Sequence, residues 1–461
     1  MQGGNQGCEV GGPSVQEYVP QLDVGKQNLQ QGESLWYFAL VNEPPDAPFI
    51  SRRLLLLLLL AFCVRLGWGL SRSSDAAVIE QLPDQREYLE LSDNLLHERG
   101  LHFYDPRFGS DVYAYRTPGY PLFLAACGSS PRIARLAQAL VDTSTVLAVY
   151  LLSRRWLTAG QSLFAAMLVA VNPFLIYFSG LILSETLFTA MLTWGMVLLA
   201  GTMRDGERGL MPQAFLGGLV LALAILVRPS GIGLPILLGI SAAILNRDDR
   251  GAYSSWWRLP PATSMLLLTL LVMAPWAYRN YHILGRWIWM TTNGGITAYD
   301  GFNDDATGAS DQRMIARLPG ATQATELQRD EFFAAEASHW LKTHPRRVVE
   351  LAIAKILRTW SPVPLSAEYG RSSYRWIGGL YAVPLDLLVV VGLCFGWIPR
   401  SAKCYLLIPA IYITAIHAMS VGSLRYRLPA EPMLAVLAAG SLRYAAGRVE
   451  VWRRATVVDP S

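Results

Sequence analysis

Seven consecutive leucines, Leu54–Leu60, run into AFCVRLGWGL, so the stretch from Leu54 to Leu70 carries a single charge, Arg65. A segment this long and apolar suits a bilayer core about 30 Å thick. Within that core every backbone N–H and C=O must be satisfied locally, which leaves helix as the only answer for a single segment. The pattern recurs along the chain, which is 52% hydrophobic and only 16% charged, against about a quarter charged in soluble domains. An all-α polytopic membrane protein follows. The net charge of +4 then marks topology; the expected partner is the lipid bilayer and no nucleic acid is expected.

The spans read as 53–70, 132–152, 161–181, 183–203, 213–229, 231–246, 262–282, 376–398, 404–421 and 428–447, about ten within bounds of eight to thirteen. Alternate connections hold Arg52 and Arg53, Arg154 and Arg155, Arg204 and Arg208, Arg247, Arg250 and Arg258, Arg400 and Lys403, and finally Arg443, Arg448, Arg453 and Arg454. The positive-inside rule places those connections and both termini in the cytoplasm. Two long connections, 71–131 and 283–375, then lie outside. Residues 1–50, rich in Gly, Gln and Pro and without an apolar period, read as a disordered cytoplasmic tail. No apolar core near Met1 makes a cleaved signal. The expected organisation is this tail, a membrane module over 51–282 containing the outside loop 71–131, an outside helical cap over 283–375, membrane helices over 376–447 and a cytoplasmic tail over 448–461. The five cysteines show no disulfide framework. CxxC, HExxH, Walker and GxGxxG patterns are absent, as is any internal repeat.

The first outside loop opens with LPDQREYLELSDNLL, residues 82–96, where Tyr88, Leu91 and Leu95 recur at helical spacing. This predicts a helix lying on the membrane surface. Asp84-Gln85-Arg86-Glu87 resembles a capping box, with Asp84 as the cap and Glu87 three residues on. A second reading points Asp84 into a cavity at the membrane face, and the two are compatible. YAYRTPGYPLFLA follows at 113–125, where Pro118 and Pro121 break the chain among aromatics. The second outside loop holds a glycine-rich stretch, TTNGGITAYDGFN, and then two predicted helices divided at His344-Pro345. The first is amphipathic, with Phe332, Phe333, Ala337, Trp340 and Leu341 on related turns.

A charged helix after the first span, followed by YRTPGYPLF, resembles the GT-C glycosyltransferases. The nearest likeness is to bacterial relatives of protein O-mannosyltransferases and to lipid A aminoarabinose transferases. NPFLIYFSGLILSETLF at 172–188, LVRPSG at 226–231, PWAYRNYHILGRWIWMTTNGG at 275–295, HWLKTHPRRVVELAIAKILRTWSP at 339–362 and RYRLPAEPML at 425–434 continue the likeness in order, over roughly residues 50–447. The resemblance implies a GT-C fold. It also implies transfer of a sugar from a polyprenyl phosphate to a hydroxyl on a lipid, glycan or protein acceptor at the outer face of a bacterial inner membrane, usually with inversion.

Such a reaction needs a general base, cations for the departing phosphate and a groove for the prenyl chain. The resemblance places the base at Asp84, with Glu87 as its substitute and Glu185 as a second acid at the outer end of a span. Many relatives carry Asp-Glu where this chain has Asp84-Gln85. A base near low-dielectric surroundings is expected to have a raised pKa. Some members hold a divalent metal ion between two such acids; here Asp84 and Glu185, with His97 or His102, are the possible ligands, although neither spacing nor ligand type demands one. No other cofactor is implied. The phosphate contacts are expected from Arg425 and Arg427, with Arg228, Lys355 and Arg116 as further candidates. Arg425, Arg427 and Arg228 lie at outer span ends, against the positive-inside bias, and guanidinium suits phosphate. Tyr88, Tyr115, Tyr120, Tyr426 and Asn293 are expected to line the donor and acceptor cavity. Arg65, Asp142, Asp386 and His417 read as structural groups within the bundle. Two rival readings share the spans and the basic mouth: a ligase or polymerase of lipid-linked glycans, and a flippase or transporter of lipid-linked sugars. The transporter has no need for clustered carboxylates and is usually built from repeats.

Overall fold

A computed structural model describes residues 51–201, 210–245, 261–318, 324–365 and 372–442. Both tails and the arginine-bearing connections 204–208 and 247–258 lie outside the described residues. Among the described residues five helices are long and apolar enough to cross a membrane: Arg52–Ser71, Pro131–Ser153, Ala262–Leu284, Ser373–Phe395 and Arg400–Ala418. Ala159–Ala170 and Pro173–Ser179 make a sixth if the 52° bend between them is read as a break within one span. Glu185–Gly201, Gln213–Val227 and Pro229–Ile244 are shorter apolar helices. The described part of the final segment is a nine-residue helix, Glu431–Ala439.

The expected span over 161–181 is therefore broken, and the reason is local. Pro173 cannot donate to the helix ladder, and Asn172 starts a new helix by accepting from the N–H groups of Phe174 and Leu175. Residues 180–184 are not helical, so the segments read as adjoining spans at 161–181 and 183–203 are separate. Their exposed carbonyls are met by buried side chains, as a low-dielectric setting requires. Arg135 donates to Gly180 O at 3.1 Å, and the Gln138 amide donates to Ser179 O and Leu181 O at 2.8 and 2.7 Å. Arg65 does the same at the other break, donating to Val169 O and Ala170 O while paired to Asp142 at 2.5 Å.

The loop between the first two spans folds into a helix at Pro83–Leu96, a short antiparallel hairpin pairing Phe103–Asp105 with Ser110–Val112, and a helix at Gly119–Ala126. The hairpin is the only sheet among the described residues, and the sequence reading had no strand there. The Pro83–Leu96 helix starts differently from expectation. Its cap is Leu82, Pro83 fills the first turn where no N–H is needed, and Asp84 makes no capping bond. Tyr88 and Leu91 do face inward, with Tyr88 edge-on to Tyr120 at 4.8 Å. Gly119 lets the Gly119–Ala126 helix rest directly on the Leu210–Val227 helix: an added Cβ would lie 2.6 Å from the backbone of Leu226. In the second loop, Gly294–Gly301 packs beneath Glu326–Thr343, and Pro345–Thr359 follows after a break at His344.

Candidate active site

Six of the charged side chains expected to carry chemistry meet where the first loop touches the bundle. Arg116 donates from Nη2 to Asp84 Oδ1 and to Glu87 Oε2, both at 2.5 Å, and from Nε to Glu87 Oε2 at 2.9 Å. Arg425 donates from Nη1 to the other Asp84 oxygen at 2.7 Å. Its Nε lies 3.7 Å from Glu185 Oε1, and Arg228 Nη1 lies 2.8 Å from that same oxygen. The charges thus alternate along Glu87, Arg116, Asp84, Arg425, Glu185 and Arg228.

Each position follows from its local backbone. Pro83 begins a helix, so Asp84 and Glu87 stand one turn apart on one face. Arg228 precedes Pro229 and is therefore extended, at φ −146° and ψ 103°; this ends the bundle helix and sends the guanidinium sideways. Glu185 opens its helix, where the backbone N–H groups favour a negative charge. Arg425 and Tyr426 lie in a 3₁₀ turn at Leu424–Ala430. Tyr426 has Arg228 and Arg425 over its ring at 5.4 and 5.2 Å and stacks flat on His417 at 3.7 Å.

The two acids of the first loop differ electrostatically. Burial by itself would raise the Asp84 carboxyl, but Arg116 and Arg425 outweigh it and hold the group well below the usual carboxylate range. Glu87 is raised, because burial exceeds the help from Arg116 and Asp84 repels it further. The raised acid is thus Glu87 and not Asp84, which corrects the sequence expectation: each acid meets two guanidiniums, but Glu87 is the more deeply buried, lies beside the Asp84 charge, and has its second guanidinium, Arg107, at 3.3 Å and shared with Asp105. The Asp84 side chain is 26% exposed and the Glu87 side chain 2%, so Asp84 alone of the two can meet a substrate.

Other expected residues lie elsewhere. Arg427 points away from this cluster, fully buried, with Glu431 at 2.5 Å and Asp386 at 3.2 Å. Lys355 is buried with its ammonium 3.3 Å from the centre of the Phe302 ring. Tyr88 and Tyr115 flank Arg116, whose guanidinium lies over their rings at 5.2 and 5.5 Å. Tyr120 is wholly buried with its hydroxyl on Gln138 at 2.5 Å. Asn293 precedes the Gly294–Gly301 helix without a side-chain capping bond, and its side chain accepts from Thr291 at 2.9 Å. For a divalent ion the donor set does not fit, since Asp84 and Glu185 are bridged by Arg425. His97 pairs with Asp93 instead, and His102 approaches Asp111 at 3.8 Å. Among the described residues no three His, Cys, Asp or Glu side chains gather around a common point.

Arg107 was not foreseen. It reaches Glu87 Oε1 at 3.3 Å while held by Asp105 at 2.6 Å. The YDPRFG turn in the sequence was the available signal, because a tight turn there folds Arg107 back towards the acids. An open, mainly apolar groove was also not foreseen in detail. Phe174, Tyr177, Phe178, Leu365, Tyr374 and Ile377 are among the apolar residues of its wall, with Arg358 and Arg425 as its charges.

The architecture has a counterpart among solved structures. The apo oligosaccharyltransferase of Archaeoglobus fulgidus aligns with a TM-score of 0.50 and 14% identity, over 87% of this chain and 51% of that one. The chain has the GT-C fold. This GT-C chain spans about half the length of that archaeal enzyme. The same enzyme, AglB, in complex with an inhibitory peptide and a dolichol-phosphate aligns at TM-score 0.48 and 12% identity, over 88% and 52% of the two chains. ArnT from Cupriavidus metallidurans bound to undecaprenyl phosphate aligns at 0.43 and 14%, over 88% and 81%. Residues 120–278 of the GT-C chain match the family model for dolichyl-phosphate-mannose-protein mannosyltransferase. No curated protein sequence matches it.

Proposed function

We propose that the protein is a membrane glycosyltransferase that moves a sugar from a polyprenyl phosphate to an acceptor hydroxyl, with Asp84 as general base and inversion at the anomeric carbon. The observation that carries the reading is the double duty of Arg425. It lines the apolar groove and also holds Asp84 at 2.7 Å. A prenyl chain in the groove would therefore bring its phosphate to the carboxylate cluster. The match of residues 120–278 to a polyprenyl-phosphate-sugar-dependent family supports the same donor class.

In the proposed step Asp84 takes the acceptor proton, the acceptor oxygen bonds to the anomeric carbon, and the bond from that carbon to the phosphate oxygen breaks. The leaving polyprenyl phosphate keeps the electron pair, and Arg425 and Arg228 stabilise its charge. The phosphate competes with Asp84 for Arg425, so donor binding loosens the hold that lowers the carboxyl and makes it a better base. Glu87 and Arg107 orient Arg116. The acceptor, whether lipid, glycan or protein, is expected beneath the cap that contains Asn293.

The outer face of a bacterial inner membrane is the proposed location of the site. Arg155 lies beside Gly201, at the far end of the helix that Glu185 begins: a Cβ on Gly201 would lie 3.0 Å from the Arg155 guanidinium. The cluster and the Arg154-Arg155 pair are therefore at opposite ends of the bundle, and the pair marks the cytoplasmic end.

The test is purified protein in lipid nanodiscs, incubated with a panel of polyprenyl-phosphate sugars and envelope acceptors. Mass spectrometry should show free polyprenyl phosphate and glycosylated acceptor from the parent protein and neither from Asp84→Asn. Equal turnover by the two proteins defeats the reading.

A further inference from the structure

The backbone that carries Arg116 is gripped from the second outside loop at one residue. Glu326, in the first turn of the Glu326–Thr343 helix, is buried and directs its carboxylate at that segment. Tyr113 N–H donates to one carboxylate oxygen at 2.7 Å, and Ala114 N–H donates to the other at 2.8 Å. The Thr292 hydroxyl donates to the Glu326 oxygen that Ala114 uses. Thr292 N–H donates to Ala114 O at 3.0 Å, and Arg279 donates to Tyr113 O at 2.7 Å and to Leu101 O at 2.5 Å. Both peptide groups of residues 113 and 114 are thereby fixed, two residues before the guanidinium that bridges Asp84 and Glu87.

We infer that Glu326 is the positioning residue for Arg116, holding the segment 113–114 so that the guanidinium reaches both acids. The inference rests on the proposed function, because it assigns Arg116 to the working site. It adds a distant residue on the cap helix that no substrate need touch. The chemistry of the grip is specific. Three donors converge on one carboxylate, which has acceptor capacity for all of them. An amide in its place offers one accepting oxygen and turns its own N–H₂ group on Tyr113 or Ala114, leaving a buried donor without a partner. Aspartate keeps both acceptors on a shorter stem. Arg116 has little slack, since Tyr88 and Tyr115 confine it on two sides, so a displaced backbone shifts its tip.

The experiment compares the parent, Glu326→Gln and Glu326→Asp in nanodiscs by amide hydrogen exchange over residues 103–118, thermal melting and transfer kinetics. Expected for Glu326→Gln are faster exchange at residues 113–116 and a kcat lower by on the order of tenfold to a hundredfold, the scale of a roughly 1 Å misplacement. KM for the donor and the melting temperature should change little, and Glu326→Asp should recover part of kcat. Combining Glu326→Gln with Arg116→Ala should cost no more than Arg116→Ala alone. Unchanged exchange at 113–116 overturns the inference, and so does faster exchange with normal kcat. If activity and melting temperature fall together and the double variant is additive, Glu326 is merely a fold contact. Absence of transfer by the parent protein refutes the functional reading and with it the positioning role, whatever the exchange shows.

Discussion

Arg425 holds Asp84 with one nitrogen at 2.7 Å and approaches Glu185 with another at 3.7 Å. One guanidinium thus occupies two carboxylates that stand on different elements, and it does so at the wall of the apolar groove. This relationship sets what each substitution in the cluster should do.

Arg425→Ala removes the cation shared by the groove and the acids. The variant should insert and fold, since the side chain is partly exposed and its neighbours keep Arg116 and Arg228. Donor use should fall, seen as a raised donor KM together with a lower kcat. Lysine should restore only part, because a point charge cannot reach Asp84 and a phosphate in the fork geometry of arginine. Normal donor turnover by the alanine variant would count against the phosphate assignment.

Asp84→Asn keeps size and removes the base. Transfer should drop by on the order of a hundredfold or more, with donor binding retained. The pH profile offers a second check. The Asp84 carboxyl lies below its ordinary value of 3.8, so kcat/KM, which reports the free enzyme, should show no acid limb from this group above that value. Removing a neighbouring cation favours the neutral form, so Arg425→Ala should move its acid limb upward. A limb that stays in place in that variant would show that the pair does not control the carboxyl.

Arg427 behaves as a tie within the bundle. It pairs with Glu431 and Asp386 and donates to Trp360 O at 3.4 Å, while Asn172 donates to Glu431 at 3.0 Å. Truncation to alanine leaves Glu431 charged and buried, a loss of about 3–5 kcal/mol for pairs of this kind. Reduced yield and a lower melting temperature are expected. Any properly folded fraction should keep its donor KM, whereas a selective rise in donor KM would return Arg427 to the phosphate site.

Lys355 gives a stability signal at alkaline pH. Burial lowers its ammonium from 10.5 to about 8, with Asp300 opposing the shift. Between those values the unfolded chain binds more protons than the folded one, so stability rises with pH from about 8 towards 10.5. Below about 8 the folded protein carries the buried charge and its full cost. Lys355→Met should remove that rise and stabilise the protein near neutrality, as read from melting temperatures across the range. A parent protein with a flat profile there would refute the burial argument.

Long apolar blocks with few charges were enough to read a helical membrane protein, because the bilayer demands internal hydrogen bonding of every span. Asp84 was singled out by the resemblance, from its place in the first outside loop, whereas Glu185, Arg228 and Arg425 could be singled out for a related reason. A charge at the end of a span is costly, so its presence there is informative before any contact is known. The division between Thr343 and Pro345 was equally local, since proline sets it. The pairing was not local. That Arg425 faces Asp84, while Arg427 two residues on turns to Glu431 and Asp386, depends on a 3₁₀ turn whose direction comes from packing against Phe174 and Trp360. The opposite shifts of Asp84 and Glu87 depend on how deeply each acid is buried and how closely its guanidiniums approach, and those come from residues 107, 116 and 425. The clamp of Glu326 on residues 113 and 114 joins positions more than two hundred apart. Composition and spacing act along the chain and are legible in it; charge pairing and desolvation act through space, and only the folded arrangement decides them.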